Sequence, residues 1–122
     1  MRVLVVEDEP VISQVCHRTL DRQGFNVTLC PDGRAAQECL QTSSFDLCLI
    51  DIRTPRMSGE ELFNWIKGQR PEMVPGVVFT TGDVISNRTE IFLTEANRPY
   101  LPKPFSPSEL LKIINEVMAS SA

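Results

Sequence analysis

The sequence lacks the closely spaced cysteine and histidine residues that form zinc sites and disulfide frameworks. It contains one histidine and four cysteines, and no two cysteines have the C-x-x-C spacing. Because structural zinc sites usually pair their ligands at such short spacings, a metal site of that kind is not expected. Each cysteine falls instead within an otherwise apolar pattern, which favours buried, reduced thiols and hence a cytoplasmic location. The histidine, His17, lies beside the apolar stripe of a predicted helix and is expected at the surface.

Long apolar segments and an excess of positive charge are also missing. No apolar run approaches the roughly 20 residues that span a bilayer, and the N-terminal segment MRVLVVEDEP becomes acidic at once, unlike a signal peptide. The formal net charge is -4, whereas a basic surface supplies most of the affinity for nucleic acids. We therefore expect no direct contact with membranes or nucleic acids. The 122 residues are enough for one domain with a hydrophobic core and leave little room for a second.

Patterns typical of strands and of helices alternate five times along the chain. The segment VLVV at residues 3–6 is continuously apolar, as in a strand buried on both faces, and FNVTLC, FDLCLI, GVVFTT and PYLP are later strand-like segments. Segments with helical spacing separate them, and SGEE and SPSE have the form of helix N-termini. This alternation predicts an α/β fold with a doubly wound parallel sheet between helices. We expect residues 1–119 to form this single domain and residues 120–122 a short tail.

Polar and charged residues gather where the predicted strands end. Glu7 and Asp8 follow the first strand, Asp51 ends the third, Thr80 and Thr81 end the fourth, and Lys103 follows the fifth. Ligands of open parallel sheets bind at these carboxyl ends, so the side chains are expected to lie close together. Carboxylates suit Mg²⁺, and a lysine beside them suits a phosphoryl group. The pattern predicts a Mg²⁺-assisted phosphoryl site with an aspartate nucleophile. Taken singly, the acids also fit a simpler interpretation, in which they are solvated or stabilise a helix N-terminus.

Four segments resemble the receiver domains of two-component response regulators: VLVVEDEP, DLCLIDIRTPRMSGEEL, VVFTTGD and LPKPF. The resemblance extends over essentially the whole chain and implies a flavodoxin-like (βα)5 fold with a five-stranded parallel sheet. It also implies a signalling domain rather than an enzyme, in which an aspartate accepts a phosphoryl group from the phosphohistidine of a histidine kinase or a histidine phosphotransfer protein. FTTGD and LPKPF resemble the receivers of hybrid histidine kinases, which favours a receiver from a larger chain over a stand-alone one.

The resemblance assigns roles to individual residues of the site. Asp51 is expected to be the phosphoacceptor and, together with Asp8, a direct ligand of Mg²⁺. Glu7 is expected to bind the ion through water, and the backbone carbonyl of Arg53 to supply a further ligand. Lys103 is expected to pair with the acceptor carboxylate and then with the phosphoryl group.

The resemblance also implies a switch that responds to phosphorylation. Thr81, which precedes the small residue Gly82, is the expected switch threonine, and Thr80 is the alternative because neighbours in a strand point to opposite faces. Tyr100 is the expected switch aromatic. Its movement would change the face formed by helix 4, strand 5 and helix 5, where an effector or a second copy of the chain would bind.

Two further expectations concern the rim of the site. The Lys103–Pro104 peptide bond is expected to be cis, as in relatives. Arg53 and Asp83 occupy the two variable positions that flank the phosphoryl site in this family. We expect them to pair and to limit the approach of hydrolytic water, so that Arg53→Ala shortens the phosphoryl lifetime.

Three other functions share part of this pattern. An enzyme of the haloacid dehalogenase type also uses a strand-end aspartate and Mg²⁺, but it needs a second aspartate where this chain has Arg53. A flavin- or nucleotide-binding flavodoxin-like protein needs a phosphate-binding loop after its first strand, where this chain has three acids, residues 7–9. A receiver-like module that binds partners without being phosphorylated is the remaining alternative. Mg²⁺-dependent modification at Asp51 would distinguish it from a phosphorylated receiver.

Overall fold

The computed structural model describes residues 1–82 and 86–121, and the side chains of residues 1–82 and 86–120. Strands and helices alternate along this part of the chain. The strands are β1 (Arg2–Val6), β2 (Asn26–Cys30), β3 (Leu47–Asp51), β4 (Val77–Thr81) and β5 (Tyr100–Pro102). The helices are α1 (Pro10–Arg22), α2 (Gly33–Thr42), α3 (Gly59–Gln69), α4 (Asn87–Ala96) and α5 (Pro107–Ser121). A short 3-10 helix, Pro71–Gly76, precedes β4.

The sheet is parallel and has the strand order β2-β1-β3-β4-β5. The chain adds β2 on one side of β1 and then adds β3 on the other side, so the strand order reverses between β1 and β3. Ligands of doubly wound sheets bind at the carboxyl ends of the strands that flank such a reversal. The register places Val6 beside Ile50, which brings the residue after β1 next to the end of β3. The predicted flavodoxin-like (βα)5 fold is confirmed.

Helices cover both faces of the sheet because the central strands are apolar on both faces. Alternate residues of β1 and β3 form one core with α2, α3 and α4, and the remaining residues form a second core with α1 and α5. In the first core, the rings of Phe63, Phe79 and Phe92 pack edge to face, with centroids 5.2, 6.0 and 5.1 Å apart. These contacts join α3, β4 and α4, and they fix the position of the strand that ends in Thr80 and Thr81.

Helices α3 and α5 begin at the capping sequences SGEE and SPSE. Ser58 Oγ accepts a hydrogen bond from Glu61 N at 3.1 Å, and Ser58 N donates to Glu61 Oε1 at 3.2 Å. Ser106 and Glu109 make the same reciprocal pair, at 3.1 and 2.9 Å. Each pair satisfies backbone N–H groups that have no partner within the helix, and therefore specifies where the helix begins. These two starts limit the lengths of the loops after β3 and β5, which carry residues of the site.

Two elements differ from the sequence-based expectations. No apolar periodicity in the sequence predicts the 3-10 helix before β4. Arg70 directly precedes this helix, and its guanidinium donates hydrogen bonds to Leu40 O and, at 3.2 Å, to Ser43 O. These bonds hold the start of the 3-10 helix against the end of α2. Helix α5 continues to Ser121 and so includes two residues of the expected tail. No glycine or proline interrupts this segment, and Ser120 Oγ donates to Glu116 O at 3.0 Å, one helical turn earlier.

The histidine and three of the four cysteines have the expected environments, whereas Cys39 is only half-buried. All four cysteines are free, and Cys16, Cys30 and Cys48 are buried. Burial raises the pKa of the Cys16 and Cys48 thiols to about 12 and that of the Cys30 thiol to about 11, so these thiols stay protonated at neutral pH. His17 is exposed on α1. None of the helices in the described ranges is both long enough and apolar enough to cross a membrane.

Candidate functional site

Three carboxylates lie together at the carboxyl ends of β1 and β3. Glu7 directly follows β1 and Asp51 ends β3, and both are buried, each only 4% exposed. Asp8 is exposed beside them. One carboxylate oxygen of each residue lies within 4.8 Å of an oxygen of the other two. The structure therefore brings together the three acids that the sequence predicted as metal ligands.

Lys103 supplies a positive charge to this cluster. Its Nζ lies 2.7 Å from Glu7 Oε1 and 3.0 Å from Asp51 Oδ2, and its side chain is only 7% exposed. Its backbone N donates to Thr81 O at 2.7 Å, which holds the loop after β5 against the end of β4. Two buried carboxylates thus share one buried ammonium, which offsets much of the cost of removing these charges from water.

Backbone N–H groups hold the second oxygen of each buried carboxylate. Arg53 N donates to Asp51 Oδ1 at 3.2 Å, and Glu9 N donates to Glu7 Oε2 at 3.1 Å. Each carboxylate therefore has one oxygen directed at Lys103 and one directed at the loop that follows its own strand. This arrangement fixes the orientation of both groups before any ligand binds.

The surroundings of Glu7 and Lys103 raise the pKa of both groups, with different consequences at neutral pH. Burial raises the pKa of the Glu7 carboxyl to about 7, and the nearby Asp51 charge adds to the effect, although the hydrogen bond from Lys103 opposes it. Burial alone would lower the pKa of Lys103, but its hydrogen bonds to Glu7 and Asp51 and their charges outweigh it, so the pKa lies above its usual value. Lys103 therefore stays charged at neutral pH, whereas Glu7 exchanges its proton there.

A cavity of about 360 Å³ opens over these groups. It is lined by Asp8, Glu9, Ile12, Asp51, Arg53, Gly82, Lys103 and Pro104. A Cβ added at Gly82 would lie 3.7 Å from Lys103 Cδ, so the residue after β4 lies against the aliphatic part of the lysine at the cavity wall. The set of oxygen ligands beside an ammonium suits a hard divalent cation and a phosphoryl group.

The two candidate switch threonines lie on different faces of the sheet. Thr80 pairs with Asp51 in the β3–β4 register, and alternation places its side chain on the face of the α1 and α5 core. Thr81 follows Phe79 by two residues and faces the α3 and α4 side, as does Tyr100, which pairs with Phe79. Both threonines are buried, whereas Tyr100 is 40% exposed. Thr81 and Tyr100 therefore share a face, although neither threonine lines the cavity over Asp51.

Arg53 and the loop after β5 are parts of the rim that lie within the described residues. The Lys103–Pro104 peptide bond is cis, as expected. Arg53 is exposed at the cavity, but Asp83, its expected partner, lies outside the described residues. Glu9 has no functional role among the sequence-based expectations, but the structure places its Oε1 3.5 Å from Lys103 Nζ. Its position next to two site acids is the only signal in the sequence that could have indicated this contact.

Comparisons with known proteins identify relatives with the same fold. Residues 3–115 match the response regulator receiver domain family. Response regulator MprA of Mycobacterium tuberculosis is 32% identical over 111 residues, which are 91% of this chain and 47% of MprA. Transcriptional activator protein PfeR of Pseudomonas aeruginosa is 35% identical over 111 residues, which are 89% of this chain and 35% of PfeR. The chain thus spans less than half the length of these curated relatives.

Solved structures give the same result. A CheY-like response regulator receiver domain protein of Methanospirillum hungatei is 28% identical and superimposes with a TM-score of 0.88, over 98% of this chain and 94% of the other. The receiver domain of sensor histidine kinase PA1611 from Pseudomonas aeruginosa is 29% identical and superimposes with a TM-score of 0.85, over 97% of each chain; its structure has a magnesium ion coordinated in the active site cleft. The family match covers most of the chain, and the acidic cluster of Glu7, Asp8 and Asp51 lies at the carboxyl ends of β1 and β3. The chain therefore belongs to the response regulator receiver domains, the phosphoacceptor domains of two-component signalling.

Proposed function

We propose that Asp51 accepts a phosphoryl group from a phosphohistidine, and that Mg²⁺ is required for this transfer. The observation that carries the proposal is the position of Asp51, whose buried carboxylate contacts the Lys103 ammonium within 4.8 Å of two further carboxylates. The phosphohistidine would belong to a histidine kinase or a histidine phosphotransfer protein.

The residues present fit a magnesium ion. Asp8, Asp51 and the backbone carbonyl of Arg53 would hold it, and Glu7 would bind it through water; the oxygen-only donor set matches the preference of this ion. When bound, Mg²⁺ would neutralise charge on the transferring phosphoryl group. The ion and Lys103 would also compensate the mutual repulsion of the three carboxylates.

The chain's own residues would carry out the transfer by placement and charge. Lys103 would shift its hydrogen bond from Asp51 to a phosphoryl oxygen. An Asp51 carboxylate oxygen would form a bond to phosphorus while the bond from phosphorus to the donor's imidazole nitrogen breaks, and the electron pair of that bond stays on the nitrogen. No side chain needs to remove a proton from Asp51, because its ionised form is the nucleophile.

Acetyl phosphate, a small phosphoryl donor, tests the proposal without a partner protein. The protein is incubated with the donor in Mg²⁺ or in a metal chelator, and its intact mass is followed. We expect a mass increase of one phosphoryl group only in Mg²⁺, with borohydride reduction converting the modified Asp51 to homoserine. A protein that gains no phosphoryl group in Mg²⁺, and does not bind a beryllofluoride complex, would instead be a receiver-like module that acts without phosphorylation.

Mg²⁺ affinity is expected to rise with pH around neutrality. Because the pKa of the Glu7 carboxyl is raised to about 7, the metal competes with a proton below that pH. We expect Mg²⁺ to bind about tenfold more weakly at pH 6 than at pH 8, because a single carboxyl with a pKa of about 7 is mostly protonated at pH 6 and mostly ionised at pH 8. Isothermal titration calorimetry at several pH values measures this. Glu7→Gln should bind Mg²⁺ more weakly and with little pH dependence. If the Mg²⁺ affinity of this variant still rose about tenfold between pH 6 and pH 8, Glu7 would not be the group responsible for the pH dependence.

The raised pKa of Glu7 also predicts how the stability of the metal-free protein depends on pH. A carboxyl with a raised pKa binds its proton more tightly in the folded chain than in the unfolded chain. The stability from Glu7 is therefore fully present below about pH 4.5, the ordinary pKa of a glutamate carboxyl, and is lost as pH rises through about 7. Bound Mg²⁺ would restore stability above that pH, because it binds the folded, deprotonated cluster.

Donor docking would use an apolar groove next to the acceptor cavity. Val11, Ile12, Val15, Lys103, Pro104 and Phe105 line a groove of about 200 Å³, and three of these residues also line the cavity over Asp51. Val11 is 76% exposed although it belongs to the apolar stripe of α1. A donor protein that presents its phosphohistidine to Asp51 must cover this rim, and a contiguous apolar groove at the rim favours a protein contact.

Val11→Gln is expected to slow transfer from a phosphorylated donor protein without slowing transfer from acetyl phosphate. Loss of one central apolar contact weakens a protein interface by about tenfold, whereas a small donor makes no such contact. The two rates are measured in parallel. Leu29→Gln is the control, because Leu29 is an exposed apolar residue on the edge strand β2. Equal slowing with both donors would place the defect in the acceptor cavity instead.

The conformational change that follows phosphorylation of Asp51 would involve Thr81 and Tyr100. A groove of about 750 Å³ lies between α4 and β5 and is lined by Glu90, Leu93, Thr94, Asn97, Arg98, Pro99 and Tyr100. Movement of Thr81 towards a phosphorylated Asp51 would leave space on its face of the sheet, and the half-exposed Tyr100 ring would turn into it. That change would alter the α4–β5–α5 face, to which an effector or a second copy of the chain would bind.

A further inference from the structure

We propose that Glu9 is an electrostatic gate of the acceptor cavity, which competes with negatively charged phosphoryl donors for Lys103. The inference rests on the proposed function, and it concerns a residue that neither holds the phosphoryl group nor is needed as a metal ligand. Its chemical consequence is that the chain selects donors by their charge.

The geometry of Glu9 directs its side chain to the lysine rather than to its own helix. Glu9 is the N-cap residue of α1, but its carboxylate makes no hydrogen bond to the first turn. Instead, its Oε1 lies 3.5 Å from Lys103 Nζ, while its backbone N donates to Glu7 Oε2. The residue therefore contacts both members of the buried Lys103–Glu7 pair.

The Glu9 contact lies on the side of the Lys103 ammonium that faces the cavity. The Lys103 ammonium has three N–H donors, and Glu7 and Asp51 are its two nearest partners, at 2.7 and 3.0 Å. Both are buried, whereas the Glu9 side chain is 61% exposed at the mouth of the cavity. Glu9 and Lys103 both line the cavity over Asp51, so a phosphoryl oxygen that enters this cavity from solvent approaches Lys103 beside the Glu9 carboxylate.

The charge of Glu9 also opposes the approach of an anion. In a water-like dielectric, one negative charge at about 6 Å weakens the binding of a monoanion by about threefold and that of a dianion by about tenfold. Screening removes most of this effect at high salt, because the Debye length falls from about 30 Å at 0.01 M to about 3 Å at 1 M. A carboxylate that only stabilised the N-terminus of α1 would not produce an effect that depends on donor charge.

The test compares two small donors that differ in charge. Acetyl phosphate is a dianion near neutral pH and phosphoramidate carries one net negative charge. KM for each is measured with wild-type protein and Glu9→Gln, at a Mg²⁺ concentration that saturates each variant. At low salt we expect Glu9→Gln to lower KM by about tenfold for acetyl phosphate and by about threefold for phosphoramidate. Both ratios should approach one at about 1 M salt.

Two matched variants separate the proposed contact from simpler causes. Glu9→Asp keeps the charge at the cavity mouth and should retain a KM close to that of the wild type. Glu38→Gln makes the same change of net charge at an exposed position on α2, away from the cavity, and should leave both KM values unchanged.

Several outcomes would overturn the inference. These are an unchanged KM in Glu9→Gln, an equal decrease for both donors, or a decrease of the same size in Glu9→Asp or Glu38→Gln. A wild-type protein that neither donor modifies would refute the proposed function, and the gate with it. A wild-type protein that is modified normally, with Glu9→Gln indistinguishable from it, would refute the gate alone.

Discussion

Asp51→Asn is expected to abolish phosphoryl uptake, with a loss of at least about a hundredfold in rate from either a phosphohistidine or acetyl phosphate. A carboxamide has nearly the shape of a carboxylate, but its oxygen is a poor nucleophile. The variant should fold, because the amide can still contact Lys103 and because the loss of one charge relieves its repulsion with Glu7. For the same reason the pKa of Glu7 should fall. Intact mass after incubation with donor and Mg²⁺ measures the uptake.

The matched control is Asp46→Asn. Asp46 immediately precedes β3, at the opposite end of the strand from Asp51, and its Oδ2 accepts a hydrogen bond from Arg2 N at 2.8 Å. The substitution makes the same chemical change on the same strand, and it should leave the uptake at the wild-type rate. Wild-type uptake in Asp51→Asn would mean that another residue, such as Asp8, is the acceptor.

The fold could be predicted because its local and global signals agree. Continuous apolar strands require cover on both faces, and the intervening segments have the spacing of amphipathic helices. The capping sequences at Ser58 and Ser106 specify two helix starts that the structure reproduces. The 3-10 helix before β4 could not be predicted in this way. It depends on hydrogen bonds from Arg70 to carbonyls near residue 40, and such contacts join segments that are distant in sequence.

The site could be predicted as a set of residues but not as a geometry. Parallel strands bring their carboxyl ends to one edge, so the acids after β1 and at the end of β3 had to lie close together. The sequence does not specify side-chain rotamers, and the contact of Glu9 with Lys103 depends on one. A capping acid and a partner of the lysine have the same sequence pattern, because both follow a strand and precede a helix.

The exposure of Val11 shows a second limit of sequence patterns. Its spacing in α1 matches that of buried residues, yet it is largely exposed beside the loop after β5. Periodicity predicts which face of a helix is apolar, but it does not predict how far the neighbouring layer covers that face. An apolar position left uncovered next to a reactive site is the kind of residue that a partner protein would contact, and it could be recognised only from the structure.

Lys103→Met is expected to destabilise the metal-free protein and to make the fold depend on Mg²⁺. The substitution leaves the Glu7 and Asp51 carboxylates buried without their cation, and removal of one partner from a buried ion pair costs about 3–5 kcal/mol. Protonation of Glu7 limits this cost at low pH, so the loss of stability should be larger at pH 8 than at pH 6. Bound Mg²⁺ supplies the missing positive charge and should raise the melting temperature of the variant by more than that of the wild type.

Thermal unfolding of both proteins at the two pH values, with Mg²⁺ or with a chelator, measures these effects. Phosphoryl uptake by the variant should stay far below that of the wild type even in saturating Mg²⁺, because no ammonium is left to bind the transferring group. Lys112→Met is the control, since Lys112 is an exposed lysine on α5, and it should change neither stability nor uptake. Metal-free Lys103→Met as stable as the wild type at pH 8 would mean that Lys103 does not compensate the buried carboxylates. Wild-type uptake by the same variant would mean that the metal alone provides the positive charge for the transfer.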